Sequence, residues 1–164
     1  MAGIVFGCIV PHPPLLVPEI GGGREKEISS TIESMNELTR RLAAKSPQTV
    51  VLISPHGPML HDAMGVATAR RLRGTMSNWG ARGVDHEFEN DPDFVAALQA
   101  EAEAAEIALG SIGDSEYDLD HGAMVPIYFL AAGMRGVPLV PLTYSPLPLS
   151  SHFEFGRALR RAAE

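Results

Sequence analysis

Six histidines, His12, His56, His61, His86, His121 and His152, are the side chains of this 164-residue protein best suited to hold a metal or move a proton near neutral pH. Two of them share a setting. His12 follows the apolar run 3–10 within Pro11-His12-Pro13-Pro14, and His56 follows the run 49–54 within Pro55-His56-Gly57-Pro58. Neutral imidazole suits iron, zinc and similar metals, and a metal site needs rigid ligands, which flanking prolines provide. The plainer alternative is that the prolines merely stop two strands and that each imidazole is solvated. The shared context favours a metal held by His12 and His56. His121 is the third candidate, between Asp120 and Gly122 at a helix start, where a neutral ring could hydrogen-bond a substrate oxygen or assist proton transfer. The alternative there is a capping cluster, with Asp120 as the cap and His121 exposed. His61 is a secondary alternative ligand, whereas His86 (in Asp85-His86-Glu87) and His152 read as surface residues.

The elements around these residues read as α/β. Residues 3–10 are β-branched and apolar on both faces, which predicts a buried parallel strand. Over 24–45, Ile28, Ile32, Met35, Leu38 and Leu42 recur every three or four residues, one stripe of an amphipathic helix. Residues 49–54 (TVVLIS) form the next strand. A strand, a crossover helix and a strand make a right-handed parallel unit, and such units place ligands at the carboxyl ends of their strands. His12 and His56 fall at two such ends. Residues 64–69 could be a strand, and 70–83 a loop or hairpin. Asp91 and Pro92 start a helix running to about residue 105, with Phe94, Val95 and Leu98 inward. An apolar helix covers about 125–132. Residues 137–142 (VPLVPL) form a further strand, which Pro138 and Pro141 predict to be an edge or irregular one. Ser151 to Glu154 has capping-box spacing, predicting a last helix from there toward 163. The sheet is expected to be mostly parallel or mixed, flanked by helices, within one domain over 1–164.

Composition bounds the partners. A net charge of −7 with no basic run excludes non-specific nucleic-acid and anionic-membrane binding. Cys8, the single cysteine, permits neither an intramolecular disulfide nor a thiolate zinc knot. No apolar stretch approaches the roughly 20 residues that span a bilayer. A cytoplasmic protein with a small-molecule partner is the expectation. Trp79, Tyr117, Tyr128 and Tyr144 could line an aromatic pocket, although such residues more often serve packing.

Three segments together, Val10-Pro11-His12-Pro13-Pro14-Leu15-Leu16, Ser54-Pro55-His56-Gly57 and Leu119-Asp120-His121-Gly122 followed by Val125-Pro126, resemble the class III extradiol ring-cleavage dioxygenases. The likeness is to their LigB-type catalytic subunit superfamily, which also holds the Memo-type proteins. The segments occur in the family's order and span essentially the whole chain. The resemblance implies a non-haem Fe(II) site in which His12 and His56 are the two histidine ligands. It implies a catechol-type aromatic substrate cleaved with O2, and His121 as a catalytic residue touching substrate or assisting proton movement. It also implies a homodimer or a second subunit. Family members usually run longer, and their additional part carries the carboxylate ligand and an acid/base histidine. Asp114, Glu116, Asp118, Asp120 or Glu19 could substitute as the carboxylate. A Memo-like metal- or partner-binding protein without ring cleavage, and a zinc-dependent hydrolase in which the same histidines activate water, are the competing readings.

Overall fold

The strand that looks least regular in the sequence lies inside the sheet. The computed structural model describes residues 3–113 and 115–164. After a one-turn helix α1 (Pro18–Gly21) and a 3-10 segment (Arg24–Ile28), helix α2 (Ser29–Lys45) leads through Ser46 into β1 (Val50–Ser54). Strands β2 (Met64–Ala67), β3 (Arg71–Thr75) and β4 (Asp85–Glu89) follow, then helix α3 (Pro92–Ala104). Strands β5 (Leu109–Ile112) and β6 (Glu116–Asp118), helix α4 (His121–Leu130), strand β7 (Leu139–Thr143) and helix α5 (Leu149–Ala162) complete the order.

The main sheet is mixed, in the order β1-β7-β2-β5. Strand β7 pairs in parallel with β1 over five positions, and antiparallel with β2 at Leu142 and Thr143. It is fully buried rather than an edge strand. Pairing with β2 stops at Pro141, which has no N–H to donate, so the proline sits where it interrupts only one short ladder. Period-2 alternation splits this sheet between two cores. Val140, Leu142, Met64 and Val66 join Val95, Leu98 and Phe155 under α3 and α5. Leu139 and Ala67 join Met35, Leu42, Ala123 and Ile127 under α2 and α4.

A second, three-stranded sheet has the order β4-β3-β6; within 70–83, expected to be a loop or hairpin, β3 forms the first arm of an antiparallel hairpin with β4, and β6 joins its other side in parallel. Its exposed positions are held by charge: Arg73 reaches Asp118 at 2.9 Å and Glu116 at 3.4 Å. Gly74 lets β3 lie directly on α4, because a Cβ there would run into Met124 Sδ.

Two further expectations are corrected. Residues 3–10 form no strand; Phe6 and Val10 pack on the core while Ile4, Val5 and Ile9 are exposed. Gly3 at a φ of 126° and Gly7 within the run weaken it as a strand, and β1 pairs with β7 alone. Helix α5 begins at Leu149, so Ser151 lies inside it and is no cap, and Glu154 pairs with Arg157 at 3.6 Å. Asp91, by contrast, caps α3 through its side chain, which accepts the Phe94 N–H, with Pro92 in the first turn as expected. Among the described residues no helix is long and apolar enough to cross a membrane.

Candidate metal centre

His12 is fixed from behind. Pro13 is extended, Leu16 N–H donates to Pro13 O and Val17 N–H to Pro14 O at 3.0 Å each, and Leu16 and Val17 are fully buried. The turn is therefore anchored in the core while the imidazole stays half-buried. His56 stands two residues past the end of β1. Its backbone N–H donates to Ser54 Oγ at 3.2 Å, and that hydroxyl donates to Asp120 Oδ1 at 2.6 Å. Thr143 Oγ1 donates to Pro58 O at 2.9 Å and closes the other side of the loop. Gly57 is required there, since a Cβ would strike Thr143 Cγ2 and come within 2.9 Å of the Tyr117 hydroxyl.

His121 is the first residue of α4. Asp120 Oδ1 caps that helix, accepting the N–H groups of Gly122 at 2.7 Å and Ala123 at 3.2 Å in addition to the Ser54 hydroxyl. One carboxylate oxygen thus ties the end of β1 to the start of α4, and so ties His56 to His121. Asp120 Oδ2 is buried without a hydrogen-bond partner.

The three sequence candidates come together. His12 Nε2 and His56 Nε2 are 3.0 Å apart. The His56 and His121 rings stack with centroids 4.2 Å apart and an interplanar angle of 25°, and the His12 and His121 centroids are 6.1 Å apart. Trp79, from the β3–β4 connection, places its ring 4.8 Å from His121. The remaining histidines lie elsewhere: His61 is exposed on its loop, His86 is half-buried on β4 and His152 is on α5.

The donor set fits a divalent metal. Two imidazole nitrogens each about 2.1 Å from one ion and at right angles are about 3.0 Å apart, so the Nε2 spacing matches that of two adjacent ligands of one ion. Burial, reinforced by neighbouring His56, lowers the His121 pKa below the ordinary imidazole value, with Asp120 opposing. Tyr117 is pushed up to about 12 by burial and by the Asp120 charge.

The acidic candidates do not join the pair. No cluster of three or more histidine, cysteine or carboxylate ligands exists among the described residues. Asp120 caps α4 through Oδ1 alone while its Oδ2 has no hydrogen-bond partner, Glu116 and Asp118 pair with Arg73, and Glu19 lies close enough to Tyr128 for its charge to raise that phenol's pKa. Asp114 lies outside the described residues. Of the aromatic candidates only Trp79 lies against a site histidine, its ring tilted by 44° to that of His121; Tyr117 is buried in the core, Tyr128 packs edge-on against Phe129 and Tyr144 is exposed. Ser54 went unread in the sequence; the one available signal is a hydroxyl at a strand end two residues before the histidine.

The family model of the catalytic LigB subunit of aromatic ring-opening dioxygenase matches residues 7–164. The chain belongs to the LigB family. Protein CA_C1420 of Clostridium acetobutylicum is 30% identical over 163 residues, covering 95% of this chain and 35% of that protein. The LigB chain therefore spans about a third of the curated relative it matches. Among solved structures, the native futalosine hydrolase of Helicobacter pylori aligns at 16% identity and a TM-score of 0.42, covering 80% of this chain and 71% of that one. Helicobacter pylori MTAN aligns at 14% identity and a TM-score of 0.39, covering 78% and 70%. These two likenesses are too distant to bear on chemistry.

Proposed function

We propose that this LigB chain carries the histidine half of a non-haem Fe(II) extradiol dioxygenase that opens a catechol-type ring with O2. The 3.0 Å separation of His12 Nε2 and His56 Nε2 carries the reading. In it, the two imidazoles hold the iron through Nε2. Ferrous iron held by His12 and His56 would supply the redox chemistry that lets O2 react with a catechol. The chain's own residues do the rest. His121, stacked on His56 and with its pKa lowered by burial, offers a ring nitrogen to hydrogen-bond a substrate oxygen and to hold or return its proton. Ser54 and Asp120 keep His56 and His121 in register. The carboxylate that completes such a site comes, in this reading, from a second subunit or another copy. The same reading takes the protein to be cytoplasmic and residues 1–164 to form one domain.

A second reading follows from no carboxylate joining the histidine pair in a group of three ligands among the described residues: a Memo-like metal- or partner-binding protein, or a zinc hydrolase, on the same two histidines. Metal content and oxygen uptake separate them. Protein loaded anaerobically with Fe(II) is expected to hold one iron, to lose it in His12→Ala and His56→Ala, and, assembled with the copy or subunit that brings the carboxylate, to consume O2 when given catechol. Zinc retained in preference to iron, with no oxygen uptake, selects the second reading. Metal content unchanged in both alanine variants refutes the site itself.

A further inference from the structure

Trp79 is the protein's single tryptophan, and it is 46% exposed although its ring lies against His121 of the histidine trio. It is not held loosely. The 3-10 turn Ser77–Trp79 is pinned by Thr75, whose Oγ1 accepts the Ser77 N–H at 3.1 Å and donates to the Ser77 hydroxyl at 2.8 Å. Trp79 N–H donates to Met76 O at 2.9 Å and Ala81 N–H to the same oxygen at 3.2 Å, and Met76 and Ala81 are fully buried. Gly80 takes a φ of 91° to close the turn, a conformation that favours glycine.

The same sheet that carries this turn also delivers His121. Strand β3 pairs in parallel with β6, and Leu119 N–H donates to Arg73 O at 2.7 Å just before the Asp120 cap. The indole and the His121 ring are therefore held on one rigid body, 4.8 Å apart and inclined at 44°. A large flat side chain left partly open to solvent, yet fixed against a histidine of the candidate site, offers apolar surface beside the proposed His12–His56 metal position.

We propose that Trp79 is the wall that reads the substrate ring: its free face stacks on a planar aromatic diol bound at the His12–His56 pair, and so selects aromatic over saturated ligands. This rests on the metal-site reading above. Aromatic stacking contributes enough for about a 3- to 10-fold change in affinity.

The test uses Zn(II)-loaded protein, which is redox-silent, titrated calorimetrically with catechol and with acetohydroxamate, a bidentate metal ligand without a ring. Trp79→Leu is expected to weaken catechol about 3- to 10-fold, Trp79→Phe to retain it, and acetohydroxamate to bind all three proteins alike. In the wild type, catechol is expected to change the single-tryptophan fluorescence with the same Kd. Equal catechol affinity in Trp79→Leu, or an equal loss of both ligands, overturns the assignment of Trp79. Failure of wild-type, zinc-bearing protein to bind catechol refutes instead the ring-cleavage reading on which it rests.

Discussion

Replacing Ser54 by alanine tests the tether at the centre of this site. The hydroxyl is buried, 3% exposed, and makes two hydrogen bonds, one to the Asp120 carboxylate at 2.6 Å and one from the His56 N–H at 3.2 Å. The first is charge-assisted and short; bonds of this kind contribute about 1.5–3 kcal/mol. The second is longer and lies at the edge of an exposed loop, where water can replace the hydroxyl, so it adds about 0.5 kcal/mol. Asp120 keeps its two backbone donors, which limits the damage. Little volume is lost, so the expected destabilisation is about 2–3 kcal/mol. With a urea dependence of about 2 kcal/mol per molar, the midpoint should fall by about 1–1.5 M. Equilibrium urea unfolding followed by circular dichroism measures it. A double-mutant cycle with Asp120→Asn separates the Ser54–Asp120 coupling from the cost of altering the cap. A midpoint within about 0.25 M of wild type, or a coupling near zero, would mean that the carboxylate is satisfied by water and that nothing ties β1 to α4 through this bond.

Three more predictions follow from the same region. Gly122→Ala places a Cβ 2.7 Å from Ser54 Oγ, 2.9 Å from Asp120 Oδ1 and 2.9 Å from His56 Cδ2, so it should cost about 1–3 kcal/mol and weaken zinc binding; unchanged zinc affinity and stability together would show that the helix start can shift freely. Tyr117 should ionise last of the three tyrosines, near its raised value of about 12, and Tyr117→Phe should remove that late step from the 295 nm absorbance titration. Because the unfolded chain loses this proton first, Tyr117 contributes stability that is lost as pH rises from about 10 toward 12; three tyrosines titrating together near 10 in folded protein would contradict it. His121 has the opposite sign: its folded pKa is lowered, so the unfolded chain takes up the proton first and stability falls as pH drops through about 6.5. Imidazole proton NMR on metal-free protein should place His121 below the ordinary value, and His121→Gln should flatten the acid limb of the stability curve.

The histidine trio was legible because its signals are local. An apolar run, a proline and an imidazole adjoin in the sequence at both His12 and His56, and Asp120-His121-Gly122 spells a capped helix start. Where the sequence misled, the deciding contact was non-local. Pro141 argues for an edge strand only if ladders run along both sides of it; here the β2 ladder ends at that residue. Residues 3–10 have a strand's composition, but only Phe6 and Val10 reach the core. The second sheet was illegible for a different reason. In Arg71-Leu72-Arg73-Gly74-Thr75 only Leu72 is a large apolar residue, so no period-2 pattern shows, and ion pairs from Arg71 and Arg73 to Glu116 and Asp118 do what cross-strand apolar contacts do elsewhere.

The Ser54–Asp120 bond also bears on how the site comes into being. It joins positions 66 residues apart, and the His12–His56 contact spans 44. No hairpin or single helix contains two of the three histidines, so no local unit can preorganise them while the chain is still searching. The centre is assembled only when high-contact-order pairings close, which makes it a late and cooperative product of folding. Metal added during refolding should therefore leave the early rates alone and slow unfolding instead, the behaviour of a ligand that meets its site only after the barrier has been crossed.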